Sequence, residues 1–165
     1  MSRRQTTPDA LLELAFGERP PPALRARLLA ETADPWWRSL DALTRLVDLS
    51  ADAVKGVLQR ARTTAWEVWD VMGVELFHFD GGPATAGADV GLVRAPANHL
   101  FLEHRHKGPE HVIILEGSMV AGGRELRVGD TDWMGTNSVH EWIAGPDGVV
   151  FAVVLYEGIE IPGVS

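Results

Sequence analysis

The chain has no cysteine among its 165 residues. Disulfides, thiolate zinc sites and a cysteine nucleophile are therefore excluded, and any metal must be held by nitrogen and oxygen. Long apolar runs are also missing. Nothing approaches the ~20 residues needed to cross a bilayer, and the opening MSRRQTTPDALLEL holds two arginines but no such run, so the expected location is the cytoplasm, with no membrane partner. Basic residues are scarce in the second part of the chain: residues 66–165 carry five Lys/Arg against fifteen Asp/Glu, whereas residues 1–65 carry ten against eight. An acidic stretch of that kind repels nucleic acid, so any DNA contact would have to come from the first part.

What is present falls into two kinds of pattern. The length suits one domain, or one small domain with an appendage, and buries roughly 70% of the surface of the unfolded chain. The first 65 residues read as about four short helices. Thr7-Pro8 supplies a cap and a first-turn proline before ALLELAF, and PALRARLLAET restarts a helix after the prolines at 20–22. Asp34-Pro35 repeats the cap-then-proline signal ahead of Trp36, Leu40, Leu43 and Val47 at helical spacing. Ser50 caps a last helix with Val54, Val57, Leu58 and Ala61 on one face. From Trp66 onward the period becomes extended: VELFHFD, ADVGLVRA, NHLFLEHRH, HVIILEGSMV, RELRV, SVHEWIA and GVVFAVVLYEG are separated by DGGP, AGG, GD and GPDG. Seven or more strands without intervening helices predict a mainly β, antiparallel sandwich or barrel over 66–165.

The chemistry concentrates in HRHKGPEHVIILEG, residues 104–117. In a strand His104 and His106 project from one face, one pleat apart, and can share an ion. Gly108 and Pro109 bend the chain, and Glu110 opens the next strand, which returns the carboxylate beside the imidazoles if the two strands pair. His140 lies on a later strand with Trp142 on its own face. Imidazole and carboxylate suit Zn, Fe, Mn, Ni or Cu; four protein ligands close a tetrahedral zinc, whereas higher coordination keeps positions open for substrate. Taken alone, the His-x-His pair reads as a solvated edge. Arg94, Leu102, Trp133 and Trp142 are candidates for a pocket wall, Arg94 as a carboxylate binder. The tryptophans otherwise read as core or rim, His78 and His99 as structural, and His111 as a surface or supporting group.

His104-x-His106-x3-Glu110-x6-Gly117 resembles the first cupin motif, with Asn98 where that motif has glycine. Gly129 and His140 stand at the interval of the second motif, whose proline, second glycine and terminal asparagine are replaced by Gly135, Asn137 and Ala144. The resemblance implies a double-stranded β-helix (jelly-roll barrel), one divalent metal ion, zinc foremost with iron, manganese or nickel as alternatives, held by His104, His106, Glu110 and His140, and a homodimer. More narrowly, a helical segment followed by MGVELFHFDGGPATAGADVGLVRAP looks like the cupin half of ChrR-type anti-sigma factors. Their sigma-binding domain carries a His-x3-Cys-x2-Cys zinc site that this chain lacks, so the implied role is a regulatory or sensory cupin without that site and without an assigned sigma partner.

A small-molecule enzyme of the dioxygenase or isomerase kind, using the same metal and a ligand in the barrel, is the alternative. A third reading takes Leu40 to Arg62 as a helix-turn-helix with Lys55, Arg60 and Arg62 toward DNA, against which Asp41, Asp48 and Asp52 would face phosphates. The bland reading of these helices is a cap whose Trp36, Leu40 and Val47 face covers the barrel or a second copy.

Overall fold

The computed structural model describes residues 21–25, 34–70 and 72–163. They belong to two compact units, residues 1–38 and 39–165. The helix expected over residues 8–16 lies outside the described residues. In the first unit residues 22–25 are helical, and α1 (Pro35–Arg38) begins where the Asp34 carboxylate accepts the Trp36 N–H at 3.0 Å. A turn at Ser39 then divides what the periodicity suggests as one helix.

In the second unit α2 (Leu40–Val47) buries Leu43 and Val47, and α3 (Ala51–Thr63) buries Val54, Val57, Leu58 and Ala61. The Ser50 hydroxyl caps α3 by accepting the Ala53 N–H at 3.3 Å. The compact unit starts at Ser39 rather than at residue 66, because α2 packs directly on the sheet strands β5 (Glu110–Ala121) and β8 (Val139–Tyr156). The end of α2 is tied down as well. Asp48 takes the left-handed conformation there, its carboxylate accepts the Ala84 N–H at 2.7 Å, and the Val47 carbonyl accepts the Gly82 N–H at 2.8 Å.

The remaining strands are β1 (Glu67–Trp69), β2 (Val74–His78), β3 (Ala88–Ala95), β4 (Leu100–His106), β6 (Arg124–Arg127), β7 (Thr131–Met134) and β9 (Ile159–Glu160). All pair antiparallel in one curled sheet. Two long strands hold it together. The first part of β8 lies between β4 and the end of β5, and its second part lies between β3 and the start of β5. A strand that changes neighbours midway turns one sheet into two facing leaves, which is the jelly-roll arrangement.

GPDG at 145–148 marks that change of neighbours. It reads in sequence as a turn between two strands, yet the strand runs through it, with no ladder partner for residues 145–148 and Gly148 at φ +81°. Pro146 lacks a donor, so this unpaired bend is where it fits. Gly117, at φ +68°, faces the bend, and a Cβ there would overlap the Gly148 carbonyl. Between the leaves lies a core that includes Val112, Ile114, Met119, Leu126, Phe151 and Trp142.

If α2 belongs to the cooperative unit of the barrel, Leu43→Ala must destabilise the whole. Leu43 is fully buried, and the expected loss is about 2–5 kcal/mol. Urea unfolding followed by tryptophan fluorescence and by far-ultraviolet dichroism should give one coincident transition at a lower midpoint. A helix that melts separately, with the sheet transition unmoved, would contradict the packing.

Candidate metal centre

Strand pairing sets the site. β4 and β8 place His104 directly opposite His140, and His106 follows one pleat on, where β4 meets β9. The Ser138 carbonyl accepts the His106 N–H at 3.0 Å and the His106 carbonyl accepts the Asn137 N–H at 2.8 Å, which fixes the loop leading into β8. Asn137 makes that turn at φ +66°, and Asn98 before β4 at φ +57°. Asparagine is the side chain that best tolerates this region after glycine, so both turns form without one.

The three rings converge. Their centroids lie 4.6 to 5.0 Å apart, and one nitrogen from each lies within 4.8 Å of the others. His104 Nδ1–H donates to the Leu102 carbonyl at 2.9 Å, which fixes that tautomer and leaves Nε2 with its lone pair. His106 Nε2 lies 2.9 Å from His140 Nε2. The other nitrogen of His106 points toward Glu110, 4.0 Å from Oε2, and is buried without a hydrogen-bond partner. Glu110 stands outside the tightest group of three but within reach of it.

Burial decides the protonation states. It lowers the pKa of His104, and it pushes His106 and His140 down to about 4, with the neighbouring imidazoles adding repulsion. All three rings are neutral at pH 7, as metal ligands must be. Burial and the nearby Asp132 push Glu110 up to about 8, so without a cation the carboxyl holds its proton. A buried ring with an unpartnered nitrogen, two further lone-pair donors and a carboxyl starved of positive charge form a donor set that fits a divalent ion.

A cavity of about 430 Å³ opens onto this group, with His104 and Glu110 in its wall. The rest is largely apolar: Trp69, Leu76, Phe101, Trp142 and Val153 among others. Trp142 stacks on Phe101 at 4.8 Å and 8°, and Phe101 meets the His104 ring edge-on at 5.0 Å.

The four wall candidates therefore separate. Trp142 lines the cavity, whereas Leu102, Trp133 and Arg94 do not. Simple alternation would carry Leu102 to the face of His104, but the register shifts between Phe101 and His104 and leaves Leu102 46% exposed. Trp133 pairs with His111 on the outer face and is 59% exposed. Arg94 is bound at 3.0 Å to Glu75 and lies 4.0 Å over the Trp66 ring.

His99 Nε2–H donates to the Met72 carbonyl at 2.7 Å, and His111 lies away from the ligand group. Sequence reasoning did not find Phe101, which the same register shift brings inward, or Asp132, whose charge acts on Glu110 and His140 while Arg124 grips it at 2.6 Å.

No family model matches the sequence, and no curated protein matches it. Solved structures do match in fold. A putative acetylacetone dioxygenase from Methylibium petroleiphilum PM1 is 18% identical, with a TM-score of 0.53 over 64% of this chain and 81% of that one. A cupin-like protein of unknown function from Ralstonia eutropha JMP134 is 14% identical, with a TM-score of 0.52 over 61% and 67%. A chain from the Rhodobacter sphaeroides complex of SigE with the anti-sigma ChrR is 18% identical, with a TM-score of 0.50 over 56% and 48%. The present chain thus spans less than half of that last one. The barrel is a cupin fold, and its three histidines form a group able to hold a metal ion.

The titrations have opposite signs. Imidazoles depressed in the folded state and normal near 6.5 in the unfolded one cost stability as pH falls from about 6.5 toward 4. A carboxyl raised from 4.5 to about 8 costs stability as pH rises through that interval. Two imidazoles outweigh one carboxyl below about 6.5, and only the carboxyl acts above it. Metal-free protein is therefore expected to be most stable near pH 6.5 and to lose melting temperature on both sides; zinc should remove the alkaline decline, because ligation ionises Glu110. Differential scanning calorimetry across pH 4.5–8.5 checks this. A metal-free protein that gains stability steadily up to pH 8 would disprove the assignment of Glu110.

Proposed function

We propose that this protein binds one divalent metal ion, zinc foremost with iron, manganese or nickel as alternatives, through His104, His106, Glu110 and His140, and presents it to a small, mostly apolar molecule in the cavity. We take the role to be sensory or regulatory. The observation that carries the reading is the unpartnered His106 Nδ1, buried beside a carboxyl in a cluster of which His104 and Glu110 line a cavity. A bound ion supplies Lewis acidity and a charge on which an oxygen donor of the ligand can settle. The chain's own part is to hold the donors neutral and aligned. The Leu102 carbonyl orients His104, Phe101 and Trp142 keep the approach dry, and Asp132 adds negative charge behind Glu110 and His140.

The resemblance to ChrR-type cupins supports the sensory role, and helices α2 and α3 give such a barrel a segment through which ligand binding can reach another molecule. We propose no sigma partner. A metal-dependent enzyme of the dioxygenase or isomerase kind is the second reading, favoured by the contact between cavity and donors, which brings a substrate against the ion. A homodimer belongs to either reading. The outward-facing apolar row of Leu100, Ile143 and Val120, aligned across β4, β8 and β5, supports it.

Protein purified without added metal, then analysed by plasma mass spectrometry, should carry close to one ion per chain. His106→Ala should carry little, and its melting temperature should no longer respond to metal. At a hundredfold excess over Kd, wild-type protein should gain roughly 5–10 °C on adding zinc. Trp142→Ala should keep the ion, since the indole lines the cavity and supplies no ligand. Unchanged metal content in His106→Ala would refute the ligand assignment.

A further inference from the structure

The cavity has a second polar end that takes no part in the histidine cluster. His78 on β2 and Asp89 on β3 both line it, and His78 Nδ1 lies 2.8 Å from Asp89 Oδ1. Strand register explains the meeting. The residue opposite His78 is Gly91, which has no side chain, so the imidazole leans across to the carboxylate two residues further along β3. A carboxylate only accepts, so in the neutral form of the ring Nδ1–H donates to it and Nε2 is the nitrogen left to accept. Among the described residues the His78 side chain has no other hydrogen bond. The two side chains are 47% and 58% exposed, which puts the pair where the cavity meets solvent.

Glu67 lines the same cavity and is exposed. Glu67 stands level with Leu76 and Val93, so the His78 end offers an imidazole nitrogen and one carboxylate. Leu155 of β8 stands between Asp89 and Glu110, paired with one on each side, and Leu76, Val93 and Val153 line the cavity further along the strands. A ligand lying across Leu155 meets the donor group on one side and the His78–Asp89 pair on the other, with hydrocarbon lining the rest of the cavity.

We propose that His78, oriented by Asp89, is a second anchoring point for the cavity's ligand. The ligand class is a molecule with an oxygen donor such as a carboxylate at one end, an apolar body, and a hydroxyl or other hydrogen-bond donor at the far end, given to His78 Nε2. The inference rests on the metal-and-cavity reading above and adds the far end of the ligand to it. A second carboxylate at that end is disfavoured, because it would face Asp89.

The test uses three probe series on the zinc-loaded full chain: the plain fatty acids from hexanoate to decanoate, their ω-hydroxy derivatives and the matching α,ω-diacids, each titrated calorimetrically. At the chain length that spans the cavity, the ω-hydroxy acid should bind about fivefold more tightly than the plain acid, and the diacid more weakly than either. His78→Ala should abolish the hydroxyl preference, so that plain and ω-hydroxy acids of that length bind about equally. His78→Gln keeps an acceptor and should retain part of the preference, whereas Asp89→Leu, which frees the ring, should reduce it. Equal binding of plain and ω-hydroxy acids at every length would overturn the proposal and leave the metal-and-cavity reading standing. So would a preference that survives His78→Ala. Zinc-loaded protein that takes up none of these acids would overturn both.

Discussion

The antiparallel register of β4 against β8, which sets His104 opposite His140, is the constraint on which the rest of this molecule depends. Strand side chains alternate between faces, so a slip of β4 by one residue would turn His104 and His106 out of the barrel, away from His140, and bring exposed groups in. Two features pin the register. One is the irregularity between Phe101 and His104, which brings both of those rings inward although three positions separate them. The other is the turn at Asn137, whose hydrogen bonds to His106 and whose positive φ start β8 at a defined point. The helices reinforce the same arrangement from outside, since α2 packs on the strands that define the two leaves.

Burying three imidazoles and a carboxyl in one place sets desolvation against charge. In this cluster desolvation leads every shift: the rings lose their protons and the carboxyl keeps its own. The result is a set of neutral donors, poor at holding protons and well suited to a cation. Asp132 shows why the arrangement is selective about charge. It opposes ionisation of Glu110 and favours protonated His140, so it makes the region hungrier for positive charge without supplying a ligand of its own. Arg124 answers Asp132 at 2.6 Å but sits at the surface, leaving the interior deficit in place.

The parts of this site legible in sequence are those governed by parity and by spacing. His104, His106 and His140 could be grouped because alternation needs no knowledge of partners, and the intervals of the two motifs carry the barrel with them. Ser50 as a cap and the buried stripe of α3 follow from local rules alone. What escaped depends on events between strands. Nothing in LFLEH announces the irregularity that exposes Leu102 and buries Phe101. GPDG carries every local sign of a turn, yet it bends one strand between two sets of neighbours, because partners on either side hold β8 in line. Trp133 looked like a wall residue by type and faces outward by pairing with His111. Whether α2 stood apart from the barrel or formed part of it was a question of tertiary packing, which the periodicity of Leu43 and Val47 could not answer.

The same alternation that buries the histidine group also shapes the space beside it. On β2, β3 and β8 the inward positions run Val74, Leu76, His78; Asp89, Gly91, Val93; and Phe151, Val153, Leu155. In the adjacent pair β2 and β3, polarity rises toward the end that holds His78 and Asp89, and the aliphatic residues sit deeper. Glycine at position 91 serves this gradient by giving up side-chain volume opposite His78, and a Cβ there would come within 3.0 Å of the Phe77 carbonyl. A barrel that only stored a structural ion would gain nothing from an apolar chamber beside its ligands; filling it with larger side chains would stabilise the fold. Under the proposed reading, that space trades core packing for the ability to take in a molecule, with hydrogen-bonding groups on both sides of Leu155 to hold it.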